Sequence, residues 1–245
     1  MQRKLYGAIR ESRVGMTAIS LRIAFAITAA LVASDPPLAG RLVSGAKPTV
    51  ELRNTGSRTI TAWSFAVSSP NPKGGIHRET HSADVYLSEV TRGLPRAPNH
   101  LDWLRPGESR TIPVDAAPPG GSVEILAVVF DDGTAWGDPK TVKSVFDQRA
   151  IERDELGKVV ATFDAVLPAQ KGVAALEELQ RRFAASTAGQ ESPPHRSARE
   201  AVDAYLQKAK AHDPEDTDHA VRTYADFVRK QHELAVKHAQ SKNYD

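Results

Sequence analysis

The densest group of chemically capable side chains is His77-Arg78-Glu79-Thr80-His81. In an extended segment alternate residues share a face, so His77, Glu79 and His81 are expected to project together. Two imidazoles and a carboxylate are ligand types that zinc or iron takes, and a zinc ion is the cofactor this trio would hold. No fourth ligand is identifiable in the sequence. The trio follows Asn71-Pro72-Lys73-Gly74-Gly75, which reads as a loose loop or the start of an edge strand, and edge strands carry polar residues to discourage unwanted pairing.

Other polar groupings carry less. His232-Glu233 invites comparison with the zinc-protease helix, but that motif needs its second histidine four residues on. Here the next is His238, about 240° round a helix. Asp131, Asp132 and Asp138 flank Gly133 without the alternating ligands and closing glutamate of a calcium loop, and a hairpin turn explains Asp-Gly directly. A Gly-x-Ser-x-Gly elbow and a Lys-Ser/Thr phosphate loop are both missing from the sequence. The absence of cysteine removes thiolate chemistry altogether. No residue is assigned a catalytic or cofactor-binding role. Trp63 and Trp136 sit among strand residues and read as core; Trp103, in Asn99-His100-Leu101-Asp102-Trp103, reads as an exposed contact.

The elements that must position these groups change character along the chain. Thr49-Val50-Glu51-Leu52-Arg53 alternates as a half-buried strand does, and Asn54-Thr55-Gly56-Ser57 makes a turn. Residues 58–67 resume the strand, with Ile60, Trp63, Phe65 and Val67 facing inward and a phase slip at Thr61-Ala62 that predicts a bulge. Val85-Tyr86-Leu87 is a weaker strand. Leu104-Arg105-Pro106-Gly107-Glu108 is a turn before a strand at 109–114. Residues 123–130 are almost continuously apolar, as a central strand should be. They end in Asp131-Asp132-Gly133-Thr134, a hairpin signal, with Ala135-Trp136 returning.

Beyond Asp138 the apolar period is helical: Val142, Val145, Phe146, Arg149, Leu156, Val159, Val160, Phe163 and Val166, ended by Pro168. Val173, Leu176, Leu179 and Phe183 mark a second helix, so 139–189 reads as a helical pair. Residues 190–196, with Ser192-Pro193-Pro194, read as a linker. The capping box Ser197-Ala198-Arg199-Glu200 opens the C-terminal helices of 197–245, and Asp213-Pro214 starts the last one. That helix carries Val221, Tyr224, Phe227, Val228 and Leu234, a face that packs on the rest of the chain or on a partner.

The formal charge of +2 arises in the first 34 residues, which hold five basic side chains against one acid; removing them from 32 basic and 30 acidic residues leaves 27 against 29, a net of −2. Residues 139–245 mix 17 basic with 17 acidic side chains. Neither pattern makes a nucleic-acid surface. The basic start, the apolar run 23–33 and the small residues up to Ser34 before Asp35-Pro36-Pro37 are the layout of a signal peptide. The run is too short for an anchor, which needs about 20 apolar residues. Met16 is an alternative start.

Several short strands separated by turn signals, over 45–138, predict a β-sandwich. The pieces Val50-Glu51-Leu52-Arg53-Asn54-Thr55-Gly56, 60–63, Leu104-Arg105-Pro106-Gly107 and 127–133 resemble the immunoglobulin-like modules of exported bacterial proteins. The resemblance implies a fold and no activity, and it lacks the cysteine pair of antibody-type domains. The expected architecture is thus an all-β immunoglobulin-like sandwich followed by an α-helical C-terminal region. The expected place is periplasmic or extracellular, with no membrane span after signal removal. Three functions fit: a non-enzymatic module binding a protein or cell-envelope partner through sandwich loops and the last helix; a metal-dependent hydrolase using His77, Glu79 and His81; and a structural envelope protein self-associating through its C-terminal helices.

Overall fold

In a computed structural model of the chain, residues 35–45, 47–71, 74–87, 103–114, 121–186, 191–211 and 214–243 are described. The expected signal peptide, the residues 99–102 beside Trp103 and the capping Asp213 lie outside them.

Among the described residues, alternation of apolar and polar residues builds seven antiparallel strands in two sheets: β1 (Leu38–Val43), β2 (Thr49–Asn54), β3 (Ile60–Asn71), β4 (Gly75–Asp84), β5 (Ser109–Pro113), β6 (Ser122–Phe130) and β7 (Ala135–Gly137). The order is β1-β2-β5 in the first sheet and β4-β3-β6-β7 in the second. Leu38, Val50 and Leu52 from the first meet Trp63, Phe65, Val67, Val128 and Phe130 from the second in one buried cluster. Each such side chain contributes about 1.5–3 kcal/mol when fully buried. Pairing of β3 with β6 shifts register between Ile60 and Ala62, where the sequence slips phase. That slip turns Ala62 to the opposite face, where it joins Ala127, Val129 and Ala135 under Val142 and Phe146. Strand β6 is continuously apolar from Ile125, and its end, Ala127–Phe130, is buried on both faces.

Among the described residues four helices follow: α1 (Pro139–Val166), α2 (Gly172–Ala185), α3 (Pro193–Ala211) and α4 (Pro214–His238). Asp138 caps α1 by accepting from the Thr141 N–H at 2.8 Å. The preceding Gly137 has φ 121°, and a Cβ there would lie 2.2 Å from the Leu126 carbonyl oxygen, so only glycine makes the corner from β7 into α1. The helices share a second core of Leu156, Val159, Phe163, Leu176, Leu179, Phe183, Val202, Leu206, Val221 and Val228. Gly157 sits against His232, whose Nε2 would be 3.2 Å from a Cβ at that position, so α1 and α4 approach closely there. The last residues return to the sheet, the Asn243 side chain bonding both backbone groups of Ala135 at 2.8 Å. Residues 35–245 accordingly form one compact unit.

Several boundaries differ from expectation. The first strand, Leu38–Val43, precedes the expected start at 45; Gly40 weakens its alternation, yet a Cβ there would lie 2.6 Å from Val123 Cγ1, so close packing requires it. The fourth strand covers the histidine cluster, and Val85-Tyr86-Leu87 is the turn after it. The expected linker 190–196 is already helical from Pro193, because proline is tolerated in a first helical turn, where no intrahelical N–H bond is lost. Ser192 serves that end: its carbonyl accepts from the Arg196 N–H at 2.9 Å and its hydroxyl from the His195 N–H at 3.4 Å. Among the described residues no helix is long and apolar enough to cross a membrane.

Candidate functional site

Val142, Phe146 and Arg149 recur at helical spacing, so Arg149 enters the buried stripe of α1. Its side chain is fully buried. The guanidinium clamps Asp84, the last residue of β4, through Nε at 2.7 Å and Nη2 at 2.8 Å. It also donates to Thr61 Oγ1 at 3.1 Å and to the His238 carbonyl at 3.3 Å, and it stacks 4.7 Å from the Tyr86 ring. One cation thereby ties β3, β4 and the end of α4 to α1. His238 is buried there against Tyr86 and Trp103, with Nε2 lacking a hydrogen-bond partner. Burial, with the charges of Arg149, Lys237 and Lys242, pulls its pKa down to about 4, so the ring is neutral near neutrality.

One turn beyond Arg149 on the same helix face stands Glu152. Tyr86 donates its phenol to Glu152 Oε2 at 2.8 Å. Burial and the Asp84 charge raise the Glu152 pKa, opposed by the Tyr86 hydrogen bond and Arg149; burial and Glu152 likewise push the Tyr86 phenol up. The charge pattern is lopsided. Asp84 has a guanidinium of its own, whereas Glu152 has a neutral phenol.

Glu152 lines a cleft of about 260 Å³ whose other walls are Leu87, Leu156, Pro193, Pro194, Ser197, Tyr224, Phe227, Val228 and Gln231. Leu87, Tyr224 and Phe227 are only partly buried against the helical core. Burial, with Tyr205 and Glu200, lifts the Tyr224 phenol to about 12, so it is a neutral hydrogen-bonding group. The cleft thus has apolar and aromatic walls and one carboxylate, an arrangement that suits ligand binding. Four separate elements supply it. Its only trace in the sequence is the pair Arg149 and Glu152 interrupting an apolar helical stripe.

The cluster His77, Glu79 and His81 lies on one face of β4, opposite Ser69, Val67 and Phe65 of β3. His81 stacks on Phe65 with ring centres 5.0 Å apart. Its Nε2 is 3.0 Å from Glu79 Oε1, a contact distance without hydrogen-bond geometry, and His77 is exposed. Among the described residues no group of three or more His, Cys, Asp or Glu side chains is arranged to hold a metal ion. Asp132 Oδ1 accepts from the Thr134 N–H at 2.9 Å, with Gly133 at φ 83°, the hairpin geometry expected there. Trp103 is half-buried, donating to the Val85 carbonyl at 3.0 Å, and so belongs to the turn after β4 more than to an exposed contact.

A further grouping was not expected from sequence. His195 Nε2 meets Ser186 Oγ, and its Nδ1 lies 3.0 Å from Glu191 Oε1, the connectivity of a serine–histidine–carboxylate relay. Its surroundings suit a staple. Ser186 Oγ donates to the Phe183 carbonyl at 2.9 Å. Arg199 also binds Glu191, at 2.8 Å, and holds its carboxyl near a pKa of about 2. Ser186 closes the C-terminal end of α2, where the helix dipole opposes a developing oxyanion. The network joins α2 to α3.

No family model matches the chain, and no curated protein matches it. Among solved structures it is similar to a hypothetical protein from Peptoclostridium difficile 630, with 12% sequence identity and a TM-score of 0.25, over 43% of this chain and 88% of that one. A likeness at that level carries no argument about fold or activity.

Proposed function

We propose that the chain is an exported, non-enzymatic binding module in which an immunoglobulin-like sandwich supports a helical half that binds a small organic ligand. The observation that carries the binding reading is the cleft walled by Leu156, Tyr224 and Phe227 with Glu152 on its side. The three-plus-four division of antiparallel strands, with the chain changing sheets after β2, β4 and β5, supports the sandwich assignment. It departs from the constant-type arrangement in that β4 joins the second sheet. The layout of residues 1–34 supports export to the periplasm or beyond. Residues 88–102 and 115–120, which the chain passes through between strands of the two sheets, lie outside the described residues. Val221, Ala225, Val228 and Ala235 of α4 turn into the chain's own core, so the last helix gives no particular support to self-association.

The test is amide NMR of the purified chain against a set of small aromatic fragments. Shifts clustered on Leu156, Ser197, Phe227 and Gln231 are expected. Shifts scattered elsewhere, or none at millimolar fragment, would overturn the reading. Export is checked separately by fusing residues 1–34 to a reporter enzyme active only outside the cytoplasm.

A further inference from the structure

From the unequal charge pairing around the cleft, we propose that its ligand is a primary ammonium carried on a small aromatic or branched apolar body, with Glu152 as the counter-ion. This deepens the binding reading above and rests on it.

Among the described residues Asp84 and Glu152 are two carboxylates beside one buried cation, Arg149, whose Nε–Nη2 edge is committed to Asp84 while Nη1 donates to the His238 carbonyl and Nη2 also to Thr61. Glu152 receives, among the described residues, one hydrogen bond, from Tyr86. A carboxylate has about four acceptor sites, and a partly buried one is stabilised by a charged donor more than by a neutral one. A ligand anion would meet Glu152, the carboxylate among the residues lining the cleft, and be repelled. A neutral ligand would leave Glu152 with a phenol as its hydrogen-bond donor among the described residues and with no charged donor of its own. An ammonium supplies the charge, and Tyr224 and Phe227 offer aromatic faces to it or to its apolar body. Size sets the remainder: a cavity of about 150 Å³ takes benzene, so about 260 Å³ admits one ring with a short aminoalkyl arm.

The experiment compares phenethylamine with 2-phenylethanol, a neutral molecule of the same shape, by NMR titration of the full chain at pH 7.5. Wild type is expected to bind the amine at least about tenfold more tightly, the range of a charge-assisted hydrogen bond. Glu152→Gln, which keeps the shape and an acceptor for Tyr86, is expected to remove that preference while retaining binding of 2-phenylethanol. Ser197→Trp, which fills the cleft, is expected to abolish both. Equal affinity of wild type for the two probes would overturn the ammonium inference and leave the cleft reading standing. A preference that survives Glu152→Gln would overturn it also. If neither probe binds, both readings fail.

Discussion

Tyr86 stands between two polar regions that solve the problem of burial differently. On one side Arg149, Asp84, Thr61 and the His238 carbonyl form a closed set in which the cation is bonded on every side. On the other, Glu152 faces a cleft with a phenol as its partner. The first region gains rigidity: it fixes the helical half on the sheets and leaves nothing for a ligand to supply. The second keeps an unmatched charge at a solvent-accessible wall, and its environment raises the cost of ionisation. Buried polar groups that are fully paired serve the fold, and an unpaired one beside a cavity points to function.

The largest effect should come from opening the closed side. Arg149→Ala empties a fully buried site and takes the donor from the Thr61 hydroxyl and the His238 carbonyl, while the exposed Asp84 can turn to water, and is expected to cost about 3 kcal/mol in chemical denaturation. A loss under about 1 kcal/mol would break the contrast. Acid should act on the same region. The folded His238 pKa lies near 4, against an ordinary value near 6.5. Above that ordinary value both folded and unfolded rings are neutral, and below it the unfolded ring binds a proton that the folded ring refuses. Stability should therefore fall by about 3 kcal/mol as pH drops from about 6.5 to 4. Comparing the pH dependence of wild type with His238→Leu isolates this part, which the variant should lack.

Gly137→Ala places a Cβ against the Leu126 carbonyl at a left-handed corner, and about 2 kcal/mol or more should be lost, read as a lower melting temperature. The relay-like staple should give the smallest effect. Ser186→Ala is expected to change stability by no more than about 0.5 kcal/mol, and wild-type protein should not react with a fluorophosphonate probe. Labelling at Ser186 would reverse that assignment.

Much of the fold was legible where a single residue pattern decides it. The run 123–130 reads as a central strand, and it lies between β3 and β7; the Asp-Gly turn reads as a hairpin and the repeats after Asp138 as helices. Failures arose where tertiary contact outweighs local signal. Gly40 looks like a strand breaker until Val123 presses on it. Pro193-Pro194 looks like a linker until Ser192 caps a helix at that point. The candidate site was less legible still. The histidine cluster on β4 attracts notice because its members are adjacent in sequence, whereas Tyr86, Glu152, Ser197 and Tyr224 come from four elements, and only packing brings them together. The one local hint, Arg149 and Glu152 in an apolar stripe, identifies a buried polar junction without indicating which of the two would be left unpaired.

Among the described residues Glu152 has no charged hydrogen-bond donor of its own, and whether a ligand supplies one is tested most directly by titrating its side-chain carboxyl by carbon NMR. The midpoint is expected above the ordinary carboxylate range in the free protein, moving downward when phenethylamine is added. A midpoint in the ordinary range, unmoved by the amine, would contradict the ammonium inference.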